Sequence, residues 1–235
     1  MRGVSRRGFL GASVALGLAG CYSSTDEDRP SVPRSSAATR GVDVPVLCRD
    51  AWAAAPVDGK PTPHTIERLT VHHTAVPLRD NSDAPGQLRA IQHDHQSQPW
   101  TDIAYHYLID LDGNIYAGRD PASAGDTFTS YDPSGHMLVC MLGDFDQQPL
   151  TRPGLSALVA ILAAGAALYD VDASTIAGHD HYEPATSCPG SSIDALIDNG
   201  SLRTRVETLL AEGTPTLVDI CGSEGSQQVA AIESS

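Results

Sequence analysis

The sequence predicts an α/β domain in which a central mixed β-sheet is flanked by helices. Three observations carry that reading. Met137 to Leu142 is a near-continuous apolar run of strand length, the signature of a strand covered on both faces. Leu155 to Tyr169 is rich in Ala and Leu with Pro153 near its start, which predicts a helix packed across the sheet. Short β-branched and aromatic runs alternate with helical patterns instead of following one another in a block, and no internal repeat is visible.

The remaining elements follow in chain order. Leu47 and Trp52 are the first credible core residues, so the domain begins near Val46. Ile66 to Val71 reads as a buried strand ending at the pair His72 and His73. Asp83 to Gln96 reads as a helix with Pro85 in its first turn and Leu88, Ile91 and His95 along one face. The stretch from Trp100 to Ile109 runs into a strand, and Asp112-Gly113 turns it back onto a partner at Asn114 to Ala117. Residues 119 to 136 form a Gly/Ser/Asp-rich loop long enough to be suspected of function. Val171 to Ile176 leads towards His179 as a strand or strand edge, and Ile193 to Ile197 and Leu202 to Leu210 are two short helices. After Glu212 the chain is mostly Gly, Ser, Thr and Gln, and residues 213–235 are expected to be a largely disordered tail.

Composition bounds the partners. With 41% hydrophobic residues, the 235-residue chain can build one sizeable core, and a single domain at 46–212 is expected, acting as a monomer. The formal charge of -14, from 15 basic and 29 acidic residues, argues against a nucleic-acid partner, which needs clustered Lys and Arg.

The N-terminus carries an address. Arg6 and Arg7 form a twin-arginine pattern followed by an apolar run from Phe9 to Ala19, too short to span a bilayer as a helix. The run ends in Leu18-Ala19-Gly20-Cys21, which resembles a bacterial lipobox, so residues 1–21 are expected to be a twin-arginine signal with Cys21 as the lipid-bearing residue. An ordinary signal with an unrelated cysteine is the alternative. Residues 22–45 then read as a flexible linker, and the protein is expected to be exported and lipid-anchored to the cell envelope. Removal of residues 1–20 takes away three arginines and no acid, moving the formal charge from -14 to -17.

The segment Gly178 to Gly190, GHDHYEPATSCPG, holds the first chemical signal. His179 and Cys188 supply an imidazole nitrogen and a thiolate sulfur, a donor pair suited to a borderline-soft ion such as Zn²⁺. A third donor is available at His72 or His73, of which only one can face a given ion because successive strand residues point to opposite sides. Three protein donors leave one tetrahedral position open, as in a catalytic zinc site. His93 and His95 fall on different faces of their helix, and His64, His106, His136 and His181 have no spacing that lifts them above ordinary hydrogen-bonded histidines. Tyr105 and Thr186 are hydroxyl candidates for stabilising an oxyanion. Cys140 reads as a buried small hydrophobe. Cys48 and Cys221 bracket the domain, and a disulfide between them is one of two open possibilities.

Four ordered motifs carry a family resemblance: VHHTA at 71–75, W-x-D-I-A-Y-H-Y at 100–107, LIDLDGNIYAGRD at 108–120, and GH…TSCPG at 178–190. Together they resemble the type 2 N-acetylmuramoyl-L-alanine amidases, which share their domain with the peptidoglycan recognition proteins. The resemblance implies that His72, His179 and Cys188 bind Zn²⁺. It also implies that Tyr105 is catalytic and that Thr186 stands where some members carry a catalytic lysine and others a threonine. The implied reaction is hydrolysis of the lactyl-L-alanine amide of peptidoglycan or muropeptides; the alternative is a non-catalytic peptidoglycan-binding lipoprotein. Members that lose the cysteine are generally recognition proteins, and this chain keeps Cys188. It departs from the family at Asp126, at Gly135-His136-Met137-Leu138 and at Asp180, positions that bear on the groove more than on the ligands. Asp126, Glu183 and His181 are neighbours from which a general base would come, with no basis for choosing among them.

Overall fold

The computed structural model describes residues 41–235; the twin-arginine and lipobox motifs and linker residues 22–40 lie outside that range. Its centre is a seven-stranded sheet built from β1 (Asp43–Leu47), β2 (Arg68–His73), β3 (Tyr107–Ile109), β4 (Ile115–Ala117), β5 (His136–Met141), β6 (Ala177–Gly178) and β7 (Thr216–Ile220), in the order β6-β2-β5-β3-β4-β1-β7. Only β3 and β4 pair antiparallel, as the hairpin predicted around Asp112-Gly113; the other pairs are parallel. Gly113 makes that turn with φ +83°, where a Cβ would lie 2.7 Å from the Pro153 carbonyl oxygen. The sheet is mixed, as expected.

Two apolar layers cover the sheet. On one side, α2 (Arg152–Tyr169) lays Leu158, Ile161 and Leu162 over Leu69, Val71, Met137, Val139, Met141 and Ile109, with Ile193 of α3 (Ser191–Asp198) and Leu202 and Val206 of α4 (Ser201–Glu212) joining the layer. On the other side, Leu88 of α1 (Ala84–Gln96) packs with Trp52, Leu108, Tyr116, Cys140 and Leu142. The two layers alternate along each strand with period two, so both faces of β5 are apolar and its side chains are buried throughout. Free Cys140 sits in the second layer, the buried small hydrophobe anticipated for it.

Several boundaries differ from expectation. β2 includes both histidines instead of ending before them, because the parallel partner β5 extends to Met141 and pairs with His73. The approach to His179 is a 3-10 turn at Ala173–Thr175 followed by the two-residue β6, not a longer strand. β1 starts at Asp43, inside the segment read as linker, because Val44 and Val46 already face the core.

The largest correction is at the C-terminus. Residues 213–235, expected to be largely disordered, form β7 and α5 (Gly222–Glu233). β7 runs in register beside all five residues of β1, Val229 of α5 is buried in the Trp52 layer, and Arg89 of α1 pairs with Glu233 at 2.6 Å. Cys221 is bonded to Cys48, with Cα atoms 4.9 Å apart, which decides the disulfide question in favour of the bond. The segment is ordered by what it docks on, so its polar, glycine-containing sequence carried no periodic signal.

Candidate metal centre and groove

The two-residue period of β2 decides between the histidines. His72 shares a face with Thr70 and lies in register with Cys140, on the α1 side of the sheet. His73 shares a face with Leu69 and Val71 and is sealed on the α2 side, where its Nδ1 accepts from the Phe145 amide at 3.2 Å. Gly190 closes over it with φ +91°, and a Cβ there would meet His73 Nδ1 at 2.9 Å and the Phe145 carbonyl carbon at 2.8 Å. The main chain of His73 still serves the site, because its amide donates to Cys188 Sγ at 3.3 Å.

His179 follows β6 directly, which brings it beside β2 at the sheet edge. The turn to Cys188 is closed by the Asp180 amide donating to the Cys188 carbonyl at 2.9 Å. As a result one donor atom each from His72, His179 and Cys188 lie within 4.8 Å of one another, and His72 Nδ1 is 3.6 Å from Cys188 Sγ. Two ligands of a tetrahedral zinc with ordinary Zn–N and Zn–S bonds stand about 3.5 Å apart, so that spacing fits the ion. Burial lowers the pKa of His72, with His179 adding to the effect, and burial likewise lowers that of His179. Both shifts favour the neutral imidazole, the form that ligates. Burial pushes the Cys188 thiol up to about 12, the behaviour of a thiol that gives up its proton only to a cation. The second cysteine group, Cys48 and Cys221 near Asp50, is consumed by the disulfide.

A cavity of about 250 Å³ opens onto the cluster, lined by His72, His179, Cys188, Tyr105, Thr186, His95, Trp100 and Phe128. The Tyr105 ring lies 5.3 Å from that of His72. Burial raises the pKa of its phenol well above the usual range, with Cys140, its hydrogen-bond partner, and Cys188 reinforcing the shift, so the hydroxyl stays protonated. Thr186 lines the same cavity, and its Oγ1 accepts from the Cys188 amide at 3.2 Å. The cavity continues past Trp100, Asp126, Thr127 and Thr129 into a second one of about 540 Å³ that reaches Lys60 and Asp132.

The three neighbours considered for a general base separate here. Asp126 alone lines the inner cavity; its carboxylate is held by Arg119, a buried guanidinium that also donates to the carbonyls of Asp102, Ile103 and Ala124. Glu183 accepts from the amide and hydroxyl of Ser130, and His181 lines a different depression, beside Asp194 and Asp198. Asp180, flagged beside His179, faces that depression too. His95 is a buried groove residue whose Nδ1 accepts from the Ala104 amide at 3.0 Å, His93 is exposed, and neither joins the cluster. Sequence reasoning missed Thr129 and Tyr131. Thr129 Oγ1 lies 2.8 Å from His179 Nε2, and the Tyr131 hydroxyl 3.4 Å from His72 Nε2. Only the length of their loop pointed towards them.

A family model described as N-acetylmuramoyl-L-alanine amidase matches residues 62–191. Peptidoglycan-recognition protein SD of Drosophila simulans is 30% identical over 162 residues, 66% of this chain and 85% of that protein. An N-acetylmuramoyl-L-alanine amidase of Sus scrofa is 30% identical over 155 residues, 62% of this chain but 25% of that longer protein. In three dimensions the crystal structure of Drosophila peptidoglycan recognition protein SD superposes with a TM-score of 0.60 at 28% identity, covering 66% of this chain and 94% of that one.

Proposed function

The chain belongs to the N-acetylmuramoyl-L-alanine amidase family, and from that premise we propose that it is a zinc-dependent amidase acting on peptidoglycan or muropeptides. The bond cut is the amide between the lactyl group of N-acetylmuramic acid and L-alanine, releasing a peptide with a free L-alanine amine. The observation that carries the reading is the three-donor cluster of His72, His179 and Cys188 at the floor of a groove. A zinc ion held there supplies a Lewis acid for the amide carbonyl and lowers the pKa of water towards about 7.

The chain's own residues do the rest. His72, His179 and Cys188 would hold the ion from the sheet edge, where all three line the cavity. The protonated Tyr105 hydroxyl donates to the oxyanion that develops on the carbonyl oxygen, and Thr186 offers a second donor, its own oxygen being satisfied by the Cys188 amide. The rim of Trp100 and Phe128 excludes water around the reacting group, and the adjoining cavity receives the stem peptide. We also propose that the protein is exported and carried on the envelope by acyl chains on Cys21, a reading supported by the sequence of residues 1–21.

Digestion of purified muropeptides followed by mass spectrometry tests the reading. Wild-type protein with one equivalent of zinc should release L-alanine-terminated peptides. Cys188→Ser should lose both zinc and release. Tyr105→Phe should keep zinc and lose about 10²- to 10³-fold in rate, the usual cost of one oxyanion donor. Binding of muropeptides by zinc-loaded wild type without release would instead make the protein a receptor, the role that the name of the recognition-protein relative describes for that relative.

A further inference from the structure

The segment from Thr127 to Tyr131 does more than wall the groove, because it touches both histidines of the cluster through their outer ring nitrogens. Resting on the metal reading above, we propose that Thr129 and Tyr131 are positioning residues that fix both His179 and His72 as the Nε2–H tautomer, with each Nδ1 turned to the ion.

A neutral imidazole has one N–H and one lone pair. A ligating histidine must present the lone pair to the ion, so its other nitrogen carries the proton and needs an acceptor. For His179 the acceptor is Thr129 Oγ1, 2.8 Å from Nε2. The next link supplies the hydroxyl proton with an acceptor of its own: Thr127 Oγ1, which accepts the Thr129 amide at 3.1 Å, lies 2.8 Å from Thr129 Oγ1, so Thr129 can take the Nε2 proton of His179 and pass its own onwards. If Thr129 donated to Nε2 instead, the His179 proton would sit on Nδ1 and point at the other donors. For His72 the arrangement repeats at longer range. Its Nδ1 is 3.6 Å from Cys188 Sγ, so Nε2, on the far side of the ring, faces the Tyr131 hydroxyl at 3.4 Å.

The segment is itself held to the turn that carries His179. Ser130 donates from its amide and hydroxyl to Glu183, whose own amide donates to the His179 carbonyl at 3.1 Å, and the Tyr131 ring stacks on Tyr182 at 5.7 Å. One short loop thus orients two ligands that arrive from different strands.

The test is zinc affinity, by competition with a chromophoric chelator, on purified protein. Thr129→Val should weaken binding by about 10- to 100-fold, the range seen when a partner of a ligating histidine is removed. Thr129→Ser, which restores the oxygen, should stay within roughly threefold of wild type. Tyr131→Phe should cost less, about 3- to 10-fold, because its contact is longer. Histidine ¹⁵N spectra of zinc-free wild type should show His72 and His179 protonated at Nε2, and Thr129→Val should mix the tautomers of His179 alone. Wild-type zinc affinity in both Thr129→Val and Tyr131→Phe, or an Nδ1–H on His179 in zinc-free wild type, would overturn the inference. Wild-type protein that takes up no zinc overturns the metal reading and this inference with it, and is distinguished by failing before any variant is made.

Discussion

His106, in the middle of the motif at 100–107, is framework, an ordinary hydrogen-bonded histidine. Its Nδ1 accepts from the Leu138 amide at 2.8 Å and its Nε2 donates to the Ser123 carbonyl at 3.0 Å, fully buried between β5 and the groove loop. Burial lowers its pKa to about 3, and burial likewise lowers those of His95 and His136 to about 4. An unfolded histidine titrates near 6.5, so below that pH the unfolded state binds protons that the native state refuses. The stabilisation is therefore complete above about pH 6.5 and is lost as the pH falls from there towards 4 and 3, by up to about 1.4 kcal/mol per pH unit for each histidine. Asp194 and Asp180 oppose this, since burial raises the pKa of both, that of Asp194 to about 6, but burial also lowers those of His72, His73 and His179, so the histidines outnumber the two acids. Urea denaturation of zinc-stripped protein should thus show a lower midpoint at pH 5.0 than at pH 7.5. An unchanged or higher midpoint at pH 5.0 would mean that these rings are already charged in the native state. Asp102, in the same motif, is structural as well: its carboxylate pairs with Arg49 at 2.8 Å and accepts from Gln92 of α1 at 2.7 Å. The sequence already set His106 with the ordinary hydrogen-bonded histidines and Tyr105 with the hydroxyl candidates, and of Asp102, Tyr105 and His106, it is Tyr105 that lines the inner cavity.

At the scale of elements, the strands and helices that bury an apolar stripe were readable, and those that depend on a distant partner were not. Met137 to Leu142 and Leu155 to Tyr169 announce themselves because burial on two faces, or along one helix stripe, imposes a composition. β7 has no such imprint; it is a strand because β1 offers an unpaired edge, and α5 stays folded because Val229 finds the Trp52 layer. The cysteine pair was visible, but its closure depends on a Cα separation that only the fold supplies. The bond spans 173 positions, and in the chain-entropy model a loop of that size stabilises the native state by roughly 5 kcal/mol at most. Replacing both Cys48 and Cys221 by alanine should lower the unfolding free energy by about 2–5 kcal/mol in denaturant titrations. The amidase activity proposed above should persist at 25 °C, because the bond ties β1 to the start of α5 at the β7 edge, while the cluster of His72, His179 and Cys188 sits at the β6 and β2 edge of the same sheet. Loss of zinc in the double variant would show instead that the two edges are coupled through the sheet.

For the molecule as a whole, charge decides how an envelope location would have to be achieved. The cluster of His72, His179 and Cys188 was legible as a set of residue types, since few functions need His, His and Cys in those motifs; the loop beside it was not, since Thr129 and Tyr131 reach it only through where the chain folds back. Neither says anything about location, which rests on residues 1–21. If residues 1–20 are removed as proposed, the formal charge becomes -17, and on balance an anionic membrane surface repels a chain so acidic. A single acyl chain without a polybasic patch holds a protein only marginally, with a partition constant near about 10⁴ M⁻¹, so a stable anchor requires more than one chain on Cys21. Acyl anchoring and electrostatic adsorption then respond oppositely to salt, because screening removes repulsion here instead of attraction. In fractionated cells the wild type should stay with membranes through a 1 M salt wash and leave only with detergent, whereas Cys21→Ala should appear in the soluble fraction with its amidase activity intact. Retention of Cys21→Ala on membranes would remove the lipid from the account and require another contact, on a protein whose charge disfavours one.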